Sequence, residues 1–215
     1  MSALLRADRA LPLPLAPICV SIQPEQSAGV GQMEQANILW RRVDTQGHDA
    51  CRLRQLATGW SLNGATAFVE DGDTGALQYE VQHDANWHTR SATITGWVGS
   101  QEVHIQIARR PDGSWLMNDS LVGDVAGATD IDLGLTPATN TTAIRRLRLG
   151  EGERAASTAA WLDPTDWRLK PLEQTYFRRS DTVYEYASPA HGFSAVLTVD
   201  DFGLVTDYPG IWLKA

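Results

Sequence analysis

The sequence predicts an all-β protein: one large antiparallel sheet, strongly curved into a barrel or half-barrel, behind a disordered N-terminal extension. Three observations carry that expectation. Apolar residues alternate with polar ones over many short runs, the period of strands with one face buried. Turn residues separate those runs at hairpin spacing, as at Asp71-Gly-Asp-Thr-Gly, Pro111-Asp-Gly, Ser188-Pro and Asp201-Phe-Gly. No long segment carries a helical stripe. Roughly a dozen or more strands in one sheet will twist and curl, which shelters the edges and leaves an interior suited to an apolar ligand.

Residues 1–36 read apart from the rest, as a flexible extension. Arg6 and Arg9 precede the apolar run Leu11-Pro-Leu-Pro-Leu-Ala-Pro-Ile-Cys-Val. That order resembles a signal peptide, but Pro12, Pro14 and Pro17 oppose the helix such a core adopts. A linker-like stretch follows, and Met33 is a candidate initiator because the ordered pattern starts just after it. No run approaches the length of a membrane-spanning helix. The reading leans to the cytoplasm.

The domain is expected over residues 37–215, with the pattern opening at Ile38. Leu77, Tyr79 and Val81 alternate with polar partners, as do Val103, Ile105 and Ile107 against His104 and Gln106. Pro111-Asp-Gly then marks a hairpin. Phe193, Ala195, Leu197 and Val199 form a late strand face, and Tyr208-Pro-Gly a final turn.

Composition narrows the function. An apolar share of 43% supplies a full core. A net charge of −8 opposes general nucleic-acid binding and adsorption to an anionic membrane. Eight tryptophans suit core packing first and ligand walls second. Cys19 and Cys51 make neither a disulfide framework nor a metal knuckle, and a bridge between them is not expected. His48, His83, His88, His104 and His191 show no metal-ligand spacing, and there is no nucleophile elbow. No cofactor, metal or catalytic residue is expected.

The segment from Asp130 to Leu147 is the densest in chemistry, with two acids, a Thr/Asn-rich turn and two adjacent arginines. Thr136–Thr142 reads as a structured loop, because short polar side chains bond their own backbone. Asp130 and Asp132 fall on one face of an extended segment. They read as ion-pair partners first and as an acid/base pair second. Of Arg145, Arg146 and Arg148, a pair could grip a phosphate or carboxylate through bidentate bonds; the structural alternative puts Arg146 and Arg148 on the outer face of a strand that points Leu147 and Leu149 inward, with Arg145 paired to Asp130 or Asp132.

Several stretches, in this order, resemble the bacterial family described as Putative glycolipid-binding. They are Ile38-Leu-Trp-Arg-Arg, Leu77-Gln-Tyr-Glu-Val, Trp87-His-Thr-Arg, Asp130-Ile-Asp-Leu-Gly-Leu-Thr-Pro-Ala-Thr-Asn, Ile144-Arg-Arg-Leu, Gln174-Thr-Tyr and the run from Asp200 to Trp212. The resemblance covers essentially the whole domain. It implies a single curved antiparallel β-structure, similar to carriers of lipoproteins and glycolipids in bacterial envelopes. Ala138 stands where the family pattern has an aromatic residue, and Thr142-Ala143 where Leu-Pro is common, so bulk is missing beside the expected site.

The function expected from all this is non-enzymatic binding of an amphipathic small molecule or glycolipid in a barrel-like cavity. Asp130, Asn140, Arg145 and Arg146 would meet a polar headgroup at the rim, with Asp132, Thr139, Tyr79 and Trp87 completing the site. Two alternatives stand beside it: a hydrolase working through Asp130 and Asp132, and a protein-interaction scaffold with a cavity-free core.

Overall fold

The computed structural model describes residues 33–215. Apart from residues 33–36, the expected extension lies outside the described residues, as does the Cys19 half of the cysteine pair.

The described residues form fifteen strands and one α-helix. The first eight strands are β1 (Gln35–Arg42), β2 (Gly47–Leu56), β3 (Gly59–Glu70), β4 (Asp73–His83), β5 (Thr89–Val98), β6 (Gln101–Arg109), β7 (Trp115–Met117) and β8 (Ser120–Val122). The others are β9 (Asp130–Leu133), β10 (Arg154–Asp163), β11 (Arg168–Ser180), β12 (Val183–Ser188), β13 (Phe193–Val199), β14 (Val205–Tyr208) and β15 (Trp212–Lys214). Helix α1 (Asn140–Leu147) follows a 3₁₀ turn over Pro137–Thr139. All strands belong to one sheet, ordered β8-β7-β6-β5-β4-β3-β2-β1-β15-β14-β13-β12-β11-β10-β9. Every pairing is antiparallel except β9 with β10, which is parallel.

Chain connectivity forces the curvature. The two edge strands, β8 and β9, follow each other in sequence, so only residues 123–129 join them. Laid flat, the sheet would span roughly 65 Å at about 4.8 Å per strand. The connection from Val122 to Asp130 reaches about 28 Å at most. The sheet therefore curls until its edges face each other, but no ladder joins β8 to β9 and the sheet stays open.

Side chains take over where the ladder stops. The outward N–H of Ile131 donates to Thr89 Oγ1 at 3.0 Å, and that of Leu133 to Thr139 Oγ1 at 3.1 Å. Trp115 Nε1 and Arg109 Nε both donate to the Ala128 carbonyl, at 3.1 and 3.3 Å. Two threonine hydroxyls thus cap an edge strand that would otherwise present bare donors. Thr89→Val keeps the shape but orphans the buried Ile131 amide. It should destabilise by about 1–3 kcal/mol in urea unfolding and speed hydrogen exchange at Ile131. Unchanged stability would remove the capping role.

The segment read from sequence as a loop running into a strand is a 3₁₀ turn and a helix. Thr136 caps the turn, its Oγ1 accepting the Ala138 N–H at 3.1 Å, and Pro137 takes the first position, where its missing N–H costs nothing. The helix is only eight residues long and buries Asn140, Thr141, Thr142, Ala143 and Ile144. Small polar residues on the buried side produce no apolar stripe. Arg146 and Arg148 are therefore not strand residues: Arg146 lies in the last helical turn and Arg148 ends the helix in the left-handed region at φ +49°.

This helix sits within the curl and narrows the expected hollow. One core fills the concave side of β1–β7 and β9–β10, with Trp40, Leu53, Leu62, Ile94, Trp115 and Leu133 all inaccessible to solvent. A second core joins Ala143 and Ile144 to Tyr176, Tyr184, Leu197 and Val205. No helix among the described residues is long and apolar enough to cross a membrane.

Candidate functional site

Inward residues on β11 and β12 follow the strand period of two, and the interior divides along them. On β11, Leu172 opens to one cavity, Tyr176 is buried and Arg178 opens to another. On β12, Ser188 and Tyr186 face the first cavity and Tyr184 the second. Helix α1 puts Asn140 in the first and Ile144 and Arg145 in the second, which Arg148, just past the helix end, also lines. The two cavities lie at opposite ends of α1, with Tyr176, Leu197 and Ala143 packed between them.

The first cavity has a volume of about 340 Å³. Asp132 reaches it from β9, where parallel pairing sets it beside Trp161 of β10. Gly134 permits that approach, since a Cβ there would lie 2.6 Å from Trp161 Nε1. Gln174 Nε2 donates to Asp132 Oδ2 at 2.6 Å and to the Tyr186 hydroxyl at 3.1 Å. Asn140 Nδ2 donates to the Tyr176 hydroxyl at 3.0 Å. Burial raises the Asp132 carboxyl to about 6; hydrogen bonds from Gln174 and Thr139 oppose that, and the nearby Asp130 charge adds to it. Burial likewise pushes the Tyr186 and Tyr208 phenols upward, so both stay neutral donors.

Aromatic rings form the walls. Trp161 and His191 meet edge to face at 5.2 Å. Tyr186, Phe193 and Tyr208 form a triangle with centroids 6.0 to 6.2 Å apart. Ser188 Oγ, on the same cavity, is buried and has no hydrogen-bond partner. The cavity therefore offers an acceptor carboxylate, a free hydroxyl and flat apolar faces together.

The eight residues expected to form one site are dispersed. Asp132 and Asn140 line the first cavity, and Arg145 and Trp87 the second. Asp130 lines neither of these. Its carboxylate is closed by Arg146, whose Nε and Nη2 donate at 2.6 Å each, and by Ser157 Oγ at 2.9 Å. The acid's partner is thus Arg146 rather than Arg145, because successive helical residues point about 100° apart. Arg145 makes cation–π contacts with two indoles instead, its Cζ 5.7 Å from the Trp60 ring centroid and 5.4 Å from that of Trp87. Thr139 caps β9. Hydrolysis by paired carboxyls needs both to flank one bond, and Asp130 faces Arg146 instead.

Tyr79 belongs to a buried network that sequence reasoning missed. Its hydroxyl donates to Asp49, 3.1 Å from both carboxylate oxygens, and lies 3.1 Å from Thr136 Oγ1. Burial raises the Asp49 carboxyl to about 7, against hydrogen bonds from Thr136 and Tyr79. A signal was present: Asp49, Cys51 and Leu53 share one parity on β2, so an acid stood on the inward face. Ser188, His191 and Trp161 carried no comparable signal, since long-range strand pairing, not local sequence, brings them to the cavity that Asp132 lines.

An open, curled antiparallel sheet with polar and aromatic cavities at the ends of an internal helix defines a β-barrel-like binding protein. The chain belongs to the family described as Putative glycolipid-binding, whose profile matches residues 37–214. The crystal structure of a DUF1089 family protein from Pseudomonas aeruginosa is similar, with a TM-score of 0.65 and 26% identity over 90% of this chain and 97% of that one. A β-barrel-like protein of domain of unknown function DUF1849 from Brucella abortus shares the fold, with a TM-score of 0.50 and 12% identity over 85% and 94% of the two chains. No curated protein matches the chain.

Proposed function

We propose that the first cavity binds the sugar ring of a glycolipid, without chemical turnover. The observation that carries this reading is the meeting of Asp132, the unpartnered Ser188 hydroxyl and the Trp161–His191 and Tyr186–Phe193–Tyr208 walls in one space. A sugar ring presents hydroxyls around its edge and C–H groups on its faces, so it needs both acceptors and aromatic surfaces. A volume of about 340 Å³ lies at the lower end of ligand pockets, roughly 300–1,000 Å³. That suits one ring and the start of a chain, for which Leu172, Ile211 and Trp212 supply apolar contact. The family description supports the ligand class.

Calorimetry with octyl glycosides, set against octanoate and octanol, tests the reading. Glycosides should bind and the two non-sugar amphiphiles should bind far more weakly. Asp132→Asn should weaken glycoside binding about ten-fold or more, the worth of one charge-assisted hydrogen bond. Affinity in the native protein should rise with pH through about 6, as the carboxyl loses its proton and becomes a full acceptor. Equal binding of all three amphiphiles, or an Asp132→Asn variant of native affinity, would overturn it.

A further inference from the structure

We propose that the second cavity is a binding site for a phosphate group, held by Arg145 and Arg148. This inference is independent of the sugar reading and concerns the opposite end of α1. The cavity measures about 620 Å³ and brings three guanidinium groups together, from Arg145, Arg148 and Arg178.

The three are not equivalent. Arg178 is committed: Nη1 donates to the Leu149 carbonyl at 2.8 Å, Nη2 to Asp181 at 2.9 Å and Nε to the Ser180 carbonyl at 3.2 Å. Arg145 and Arg148 have no hydrogen-bond or ion-pair partner among the described residues. The guanidinium of Arg145 lies over the stacked Trp60–Trp87 pair, whose centroids are 4.9 Å apart. A cation–π contact consumes none of the N–H donors of a guanidinium. The indole pair therefore holds Arg145 at the cavity with its donors unspent, and bidentate recognition of a phosphate needs such donors.

Acids also line the cavity, but two of the three are occupied. Asp181 takes Arg178, and Asp200 Oδ1 accepts the N–H groups of Phe202 and Leu204 at 3.0 and 2.9 Å. Asp200 keeps its charge, so with Asp201 the formal charges of the cavity balance; what Arg145 and Arg148 bring is unspent hydrogen-bond donors rather than excess charge. The carbonyl end of α1 favours cations in its last turn, where both Arg145 and Arg146 lie; Arg146 is paired with Asp130 and Arg145 is not.

Backbone strain marks the same place. Trp87 (φ +69°) and Arg148 (φ +49°) both line this cavity in the left-handed region, which a bulky residue rarely occupies. Glycine is the common residue where a helix ends as α1 does. An arginine there gives up stability and gains a guanidinium at the cavity.

Isothermal titration of the full chain with inorganic phosphate, together with the variants Arg148→Gly and Arg145→Gln, tests the proposal. The native protein should bind phosphate saturably. Arg148→Gly should melt at the same temperature or higher, because glycine takes that backbone conformation freely, yet bind phosphate at least about ten-fold more weakly. Arg145→Gln should lose affinity to a similar degree. Asp132→Asn should bind phosphate as the native protein does, which separates this site from the first cavity. Co-sedimentation with phosphatidylcholine vesicles, with and without phosphatidic acid, distinguishes the source. Recruitment by phosphatidic acid identifies a lipid headgroup, and phosphate binding without recruitment a soluble phosphate. Absence of both responses, or native phosphate affinity in Arg148→Gly, would overturn the proposal.

Discussion

Arg146→Ala is expected to destabilise the protein by about 3–5 kcal/mol, because it leaves an uncompensated carboxylate inside the fold. The Asp130 side chain is 2% exposed and that of Arg146 15%. Two donors from one guanidinium reach both carboxylate oxygens, and Ser157 Oγ bridges the pair, at 2.8 Å from Arg146 Nη2 and 2.9 Å from Asp130. After truncation the carboxylate retains hydroxyl contacts but no cation. The pair also ties α1 to β9, so its loss should free the helix that separates the two cavities. Urea unfolding at pH 7 measures the first effect, and hydrogen exchange along 140–147 the second. The double variant Arg146→Met with Asp130→Leu should recover much of the loss, since it is the unpaired charge that is costly. A loss below about 1 kcal/mol, typical of exposed pairs, would show that the site is wetter than its geometry implies.

Asp49 should make stability fall as pH rises. Its carboxyl moves from 3.8 to about 7 on folding, chiefly because burial penalises the charge. Below pH 3.8 both states hold the proton and the stabilising contribution is fully present. Between pH 3.8 and about 7 the unfolded chain has released a proton that the folded chain keeps, so stability declines; above about 7 the loss is complete. The shift of about three units corresponds to as much as about 4 kcal/mol. His83 works the other way: burial lowers its pKa from 6.5 to about 4, so its contribution is lost as pH falls through that window. Asp132, raised to about 6, has the same sign as Asp49. The clean measurement is therefore the difference between the native protein and Asp49→Asn at each pH. Asparagine keeps the shape and cannot ionise, so the variant should gain on the native protein between pH 4 and 8 and stay level above it. A pH-independent difference would mean that Asp49 is already solvated in the native state.

How far these features were legible follows from the range of the forces involved. Inward-facing Leu77, Tyr79 and Val81, or Val103, Ile105 and Ile107, announce a strand because the period of two is local to each run. The turn at Pro111-Asp-Gly is equally local, and the β6–β7 hairpin forms around it. Helix α1 was hidden because Ile144 is the one large apolar residue among the five it buries; the others are asparagine, threonine and alanine, and Asn140 and Thr141 bond the Tyr176 hydroxyl and the Gly203 carbonyl. Its place inside the curl depends on partners 36 and 62 residues away along the chain. The expected rim residues are divided for the same reason: α1 sends Arg145 to the second cavity and Arg146 to Asp130, since successive helical side chains point about 100° apart.

The sequence by itself determined an antiparallel β-protein with a chemically dense segment from Asp130 to Arg146, since alternation, turn chemistry and composition act over a few residues. Only the tertiary structure decided that this segment is the divider within the curl. It assigned Asp130 to Arg146, Asp132 to an aromatic cavity and Arg145 to a tryptophan stack. Those assignments depend on the curling of a fifteen-stranded sheet, which brings distant side chains within hydrogen-bond reach and removes the water that would otherwise screen them.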